Sequence, residues 1–113
     1  MDIVASDRVR SIRALNDVLR VTMLGGMVVT TRSIEEMLTD KKFRLLREVQ
    51  AFDDFSEGND PHGEHDFGSI KIDGETFFWK IDYYDQSMEM GSPDPADPNV
   101  TKRVLTIMKS DEY

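Results

Sequence analysis

Apolar residues recur at Val9, Ile12, Leu15, Leu19 and Met23, the three-to-four spacing of a helix with one buried face, and predict a helix over residues 7–24. Ser6 is placed to cap it. Gly25-Gly26 is placed to end it, because glycine accepts the left-handed backbone that terminates helices. The β-branched run MVVTT at 27–31 suits a short strand. Ser33 followed by Glu36 has capping-box spacing and predicts a short helix through residue 38. A further helix capped by Asp40 should run to about residue 53 with Phe43, Leu46, Val49 and Phe52 inward, and Phe52 and Phe55 read as core anchors.

Residues 56–63 (SEGNDPHG) have loop composition, and Asp73-Gly74 between SIKI and ETFFWKI is a strong two-residue hairpin signal. With Asp73 and Gly74 as the turn, Ile72 pairs with Glu75, Ile70 with Phe77, Gly68 with Trp79 and Asp66 with Ile81, and Glu64 approaches Tyr83. Ile70, Ile72, Phe77, Trp79 and Ile81 then share the face turned to the helices. Gly68 leaves room for the indole opposite it. The other face carries His65, Phe67, Phe78, Lys80, Asp82 and Tyr84, with His65 opposite Asp82 and Phe67 and Phe78 covered by another segment.

The prolines of GSPDPADP at 91–98 exclude a strand there and predict a crossing loop. Asp97-Pro98 is a helix-start signal, so a helix is expected over about 98–108 with Val100, Val104, Ile107 and Met108 on one face, followed by a frayed SDEY tail. The expected fold is a single α+β domain over 1–113. A small antiparallel sheet, built on a hairpin at about 66–84 and joined by the first strand, packs against N-terminal, middle and C-terminal helices.

At 113 residues with 39% apolar and 32% charged positions, the chain suits one folded domain without staples. It has no cysteine, which excludes disulfides, thiolate catalysis and cysteine-based zinc sites. No segment has the length and apolarity of a signal peptide or a membrane span, and a cytoplasmic location is expected. The net charge of −8 is unevenly placed: residues 1–50 carry nine basic against seven acidic side chains, whereas residues 51–98 carry two against thirteen. Such a surface repels phosphates and attracts basic partners, which argues against direct nucleic-acid binding. The arginines at 8, 10, 13 and 20 read as solvated helix charge.

The segment 59–85 holds both histidines, the only tryptophan and all but one of the tyrosines. A His65–Asp82 pair would hold the open end of the hairpin together; as chemistry, Asp82 would fix the tautomer of His65 for acid/base work. No serine lies in a nucleophile-elbow pattern. His62, Glu64 and Asp66 are the alternative metal ligands, although alternation along an extended segment separates them from His65. Asp94 and Asp97 lack EF-hand spacing and read as capping residues.

The segments LND at 15–17, AFDDF at 51–55, DPHGEHDFG at 60–68, FFWKIDYYD at 77–85, GSPDPADP at 91–98 and RVLTIMKSDEY at 103–113 together resemble a small family of unknown function found in alphaproteobacterial genomes and plasmids. The resemblance implies a bacterial, cytoplasmic protein of mobile-element type and supplies no mechanism. The expected function is a noncatalytic acidic module that binds a basic protein surface. Its sharpest form is a DNA-mimic-like inhibitor of a nucleic-acid-binding or host-defence protein, of anti-restriction or anti-CRISPR type. The candidate binding residues are Asp53, Asp54, Glu57, Asp60, His65, Phe67, Phe78, Asp82 and Tyr84. No cofactor and no membrane partner is called for, and an aromatic interface through Phe67, Phe78 and Tyr84 would allow a homodimer. A small hydrolase using His65 and Asp82, or a metal held by His62, Glu64 and Asp66, is the alternative.

Overall fold

The computed structural model describes residues 3–113 and is α+β. Its elements run α1 (Ile3–Thr22), β1 (Met27–Thr30), α2 (Arg32–Glu35), α3 (Thr39–Gln50), β2 (Phe67–Ile72), β3 (Glu75–Tyr84) and β4 (Lys102–Lys109), closed by a 3-10 turn at Ser110–Glu112. The strands form one sheet in the order β1-β4-β3-β2.

The hairpin has the register that its turn dictates: Ile72 opposite Glu75, Ile70 opposite Phe77, Gly68 opposite Trp79, with the Ile81 amide donating to Asp66 O at 2.8 Å. Asp73 and Gly74 take φ of +53° and +79°, the two left-handed positions that such a turn needs. Ile70, Ile72, Phe77, Trp79 and Ile81 are buried against Leu19, Ile34, Leu45 and Val49, so the helices lie on one face of the sheet. On the other face, Phe67 and Phe78 pack together at 5.0 Å between ring centroids, and Tyr113 closes on both at 5.7 Å.

The expected C-terminal helix is instead β4, the strand that makes the sheet whole. It runs antiparallel to β3 and parallel to β1, so the sheet is mixed, and the first strand reaches the hairpin only through β4. As a central strand β4 is buried on both faces: Val104 and Met108 point one way, Leu105 and Ile107 the other. Pro98 sits in a turn rather than a helix, so Asp97 caps no helix; Asp94 and Asp97 instead accept from the Ala96 and Asn99 amides two residues on and close local turns.

Local cap signals were overruled elsewhere. α1 begins at Ile3, so Ser6 lies inside it. Ser33 lies inside α2, whose N-cap is Thr31, and donates to Glu112, while α3 starts after Leu38 with Asp40 in its first turn. α3 turns Leu45 and Val49 inward and leaves Phe43 exposed. The tail is docked rather than frayed, because Glu112 accepts from Thr31, Ser33 and the Lys109 amide.

Candidate functional site

Between α3 and β2 the chain crosses the mouth of the α/β sandwich as a loop (residues 51–66), and polar side chains from α1 fasten it. Asn16, fully buried, donates from Nδ2 to Glu64 O at 2.9 Å and to Tyr83 Oη at 2.8 Å. Its Oδ1 accepts from Arg103 Nε at 2.7 Å. Arg103 comes from β4, is itself buried, donates to Pro95 O and lies over the Tyr83 ring. Burial pulls its guanidinium down from its ordinary value, though a guanidinium stays charged. Tyr83 Oη donates to Glu64 Oε1 at 2.7 Å, so Glu64 does meet Tyr83 as the register requires. Burial, followed by this bond, pushes the Tyr83 phenol far up and keeps it a hydroxyl.

At the next position of α1, Asp17 accepts from His65 Nδ1 at 2.8 Å, and His65 Nε2 faces Asp60 Oδ2 at 3.7 Å. The imidazole stacks on Phe55, with ring centroids 3.6 Å apart and planes 7° from parallel. Arg20 packs over Phe55 and Trp79, pairs with Asp17 and donates to Val49 O and Gln50 O at the end of α3. Arg13 Nε donates to Gly63 O at 2.6 Å. Two of the arginines expected to be solvated, Arg13 and Arg20, therefore hold the loop down.

The His65–Asp82 pair does not form. His65 adopts φ +55°, which breaks the strand alternation just before β2 and turns the ring toward α1. Asp82 binds Lys80 Nζ at 2.6 Å on the opposite face. Both ring nitrogens of His65 face carboxylates, Asp17 at hydrogen-bond distance and Asp60 farther off, so the side chain ties the end of the loop to α1. Asp60, expected at the surface, is buried beneath the loop, where its carboxylate also accepts from the His65 amide. His62 is exposed, whereas Glu64 is tied to Tyr83. Among the described residues no three His, Asp or Glu side chains are grouped to hold a metal.

Three expected binding residues remain outward: Asp53, Asp54 and Glu57 are exposed, and none has an ion-pair partner among the described residues. Asn59 Nδ2 donates to Asp54 at 2.9 Å and fixes the turn. A groove of about 370 Å³ runs alongside, lined by Phe52, Asp54, Gly58, Asn59, Phe67, Gly68 and Ser69. Phe67 thus bridges the groove and the aromatic cluster with Phe78; Tyr84 lies further along that sheet face, opposite Lys102.

Asp66 is the strained member. Burial, then the neighbouring Glu64 carboxylate, raises its pKa above the ordinary value. The folded state therefore holds this proton more tightly than the unfolded chain, so the contribution is favourable below the unfolded pKa and is lost as pH rises through the folded one. Asp66→Asn is expected to raise Tm at pH 7 and to lose that advantage toward pH 3.5; thermal melts at the two pH values check both sign and window.

Asn16, Asp17, Arg20 and Arg103 carry the site's architecture, and reasoning from the hairpin alone misses them. For Asn16 and Arg20 the signal lay in α1, where both follow Ile12 at intervals of four, on the buried stripe itself. Among the described residues no helix is long and apolar enough to cross a membrane. Residues 30–112 match a family described as protein of unknown function (DUF3768), and the chain belongs to that family. No curated protein and no solved structure matches it significantly.

Proposed function

We propose that this DUF3768 member is a noncatalytic binding module of a bacterial or mobile element, acting in the cytoplasm by docking an arginine-bearing surface of another protein on its 51–66 loop. The observation that carries the reading is the groove in which the unpaired carboxylate of Asp54 stands beside the rings of Phe52 and Phe67. A guanidinium suits such a groove: it pairs with the carboxylate and stacks on an aromatic face, and it sheds water more readily than an ammonium. Asp53 and Glu57 add to the negative field at the rim and steer the encounter.

Preorganisation supports the same reading. Arg13, Asn16 and Asp17 of α1 hold the loop at residues 63–65, and the Asn59–Asp54 and Asp60–Ser56 hydrogen bonds fix its outer turn, so binding need not order it and little association free energy is lost there. Surfaces that bind nucleic acid are rich in arginine, and carboxylates presented on a rigid frame compete for the places of phosphates. The target class is therefore a nucleic-acid-binding protein, with an anti-defence role as its sharpest form.

The wild-type protein, immobilised at low salt, is expected to capture nucleic-acid-binding proteins that DNA or raised salt releases. The Asp53→Lys/Asp54→Lys/Glu57→Lys variant is expected to lose them, and Phe67→Ala to weaken them at least tenfold while leaving salt sensitivity in place. The same proteins retained by the charge-reversed variant, or no salt-sensitive partner for the wild type, would sink the proposal.

A further inference from the structure

The sheet has two edges, and they are built differently. β2 carries Lys71 with its side chain exposed, the kind of charge that keeps an edge from pairing with another strand. β1 carries no charge, no proline and no bulge, and among the described residues only β4 pairs with it. It lies within residues 21–31, VTMLGGMVVTT, eleven positions without a charged side chain and the longest such run in the chain.

Exposed apolar side chains gather on both sides of this edge. Met27 and Val29 project on the face away from the helices and are 47% and 37% exposed. On the helix side, Val18 flanks the β1 entry, since a Cβ at Gly25 would stand 3.8 Å from its Cγ1, and Leu24 beside it is 71% exposed. Exposed apolar residues elsewhere have charged neighbours that keep them solvated: Leu38 lies between Glu36 and Asp40, Phe43 between Lys42 and Arg44, and Met90 follows Glu89. Leu24, Met27 and Val29 have none within two residues.

We infer that β1 is a homodimer edge, on which a second copy of this chain adds its own β1 antiparallel to make one continuous sheet of two copies. Charge selects the occupant. Two molecules of net charge −8 repel over most of their surfaces, and the 21–31 segment is where they can meet without bringing like charges together. A basic partner would gain little there: the segment itself carries no carboxylate, and Glu35, which accepts from Thr30 Oγ1 at its margin, already has Lys42 as its ion-pair partner.

Backbone parity sets the register. The Thr31 amide donates to Ile107 O, so the inward groups belong to residues 27, 29 and 31, and the N–H and C=O of Val28 and Thr30 point out from the edge. A two-fold axis at Val29 lets Val28 of one copy exchange hydrogen bonds with Thr30 of the other. Val29 then meets its own counterpart in the close, non-hydrogen-bonded pair, with Cα atoms about 4.5 Å apart, inside the range that a disulfide spans.

The absence of native cysteine makes the test clean. Sedimentation of the wild-type chain is expected to give twice the chain mass by high micromolar concentration. Val29→Cys, oxidised, should run as a covalent dimer, whereas Ser69→Cys on the β2 edge should not. Val28→Pro removes an outward donor, and Val29→Lys places like charges on the axis; each should sediment as one chain with unchanged far-UV circular dichroism. If proline there prevents folding, the exposed Val29→Lys position decides. A wild-type monomer throughout, a dimer that survives Val29→Lys, or cross-linking through Ser69→Cys alone would overturn the inference.

Discussion

Alanine at position 68 is expected to destabilise the protein by about 2–3 kcal/mol, the cost of overpacking a core that cannot yield. A Cβ there would fall well inside contact distance of Trp79 Nε1, 2.6 Å from Cε2 and 2.8 Å from Phe52 Cζ. Phe52 borders the groove and can shift its ring tip, but the indole cannot retreat. Trp79 is fully buried, and Phe52, Phe55 and Arg20 close on it from the helix side. Relief must come from moving the indole or from parting β2 from β3, and either disturbs the groove floor that Gly68 forms. Gly58→Ala is the control: nothing lies within 4 Å of its Cβ and its φ is ordinary, so a change within about 0.5 kcal/mol is expected. Urea unfolding followed by fluorescence reports directly, because Trp79 is the only tryptophan. Equal midpoints for the two variants would mean that the indole is far less constrained than its surroundings imply.

The same hairpin marks how far the sequence could be read. A turn of two residues needing positive φ leaves one register, and alternation then assigns every inward side chain from Ile70 to Ile81, so this part of the fold follows from local chemistry alone. β4 did not follow, because a strand buried on both faces has no alternation to display. Its apolar run can be laid on a helix face as easily as on a sheet, and Asp97-Pro98 supplied a plausible cap. β-Branched Val104, Thr106 and Ile107 favoured the strand, and the need to join β1 to β3 settled it. His65 was misplaced for a related reason: pairing it with Asp82 assumed that the strand continued past Phe67. The backbone instead turns left-handed at His65, under the pull of Asp17 and Asp60, residues near it in space and remote in sequence or masked by a loop.

Removing the amide of Asn16 is expected to cost about 2–3 kcal/mol, the penalty for leaving buried hydrogen-bonding groups unsatisfied, one of them on a charged side chain, and thus a large share of the roughly 5–15 kcal/mol that holds a domain folded. Asn16→Ala strips Arg103 Nε, buried away from bulk water, of its acceptor and leaves the half-buried Glu64 O without its donor. Asn16→Asp keeps an acceptor for Arg103 but cannot donate to Glu64 O or Tyr83 Oη, and it sets a second carboxylate beside Glu64; it should also destabilise. The pair Asn16→Leu/Arg103→Met removes charge and partner together and should lose less than the sum of its single changes, with a coupling of about 1–3 kcal/mol in a double-mutant cycle. The damage should also be local before it is global. Hydrogen exchange in Asn16→Ala is expected to quicken first at Gly63 and His65, whose segment loses its tether, while Phe77 and Leu105 in the central strands stay protected. If the loop is the docking surface, partner affinity falls in this variant although Asp53, Asp54 and Glu57 are intact, because the cost of ordering the loop is transferred to the binding step. Unchanged loop protection with reduced stability would instead make Asn16 a core residue with no hold on the loop, and would separate the buried network from the acidic surface above it.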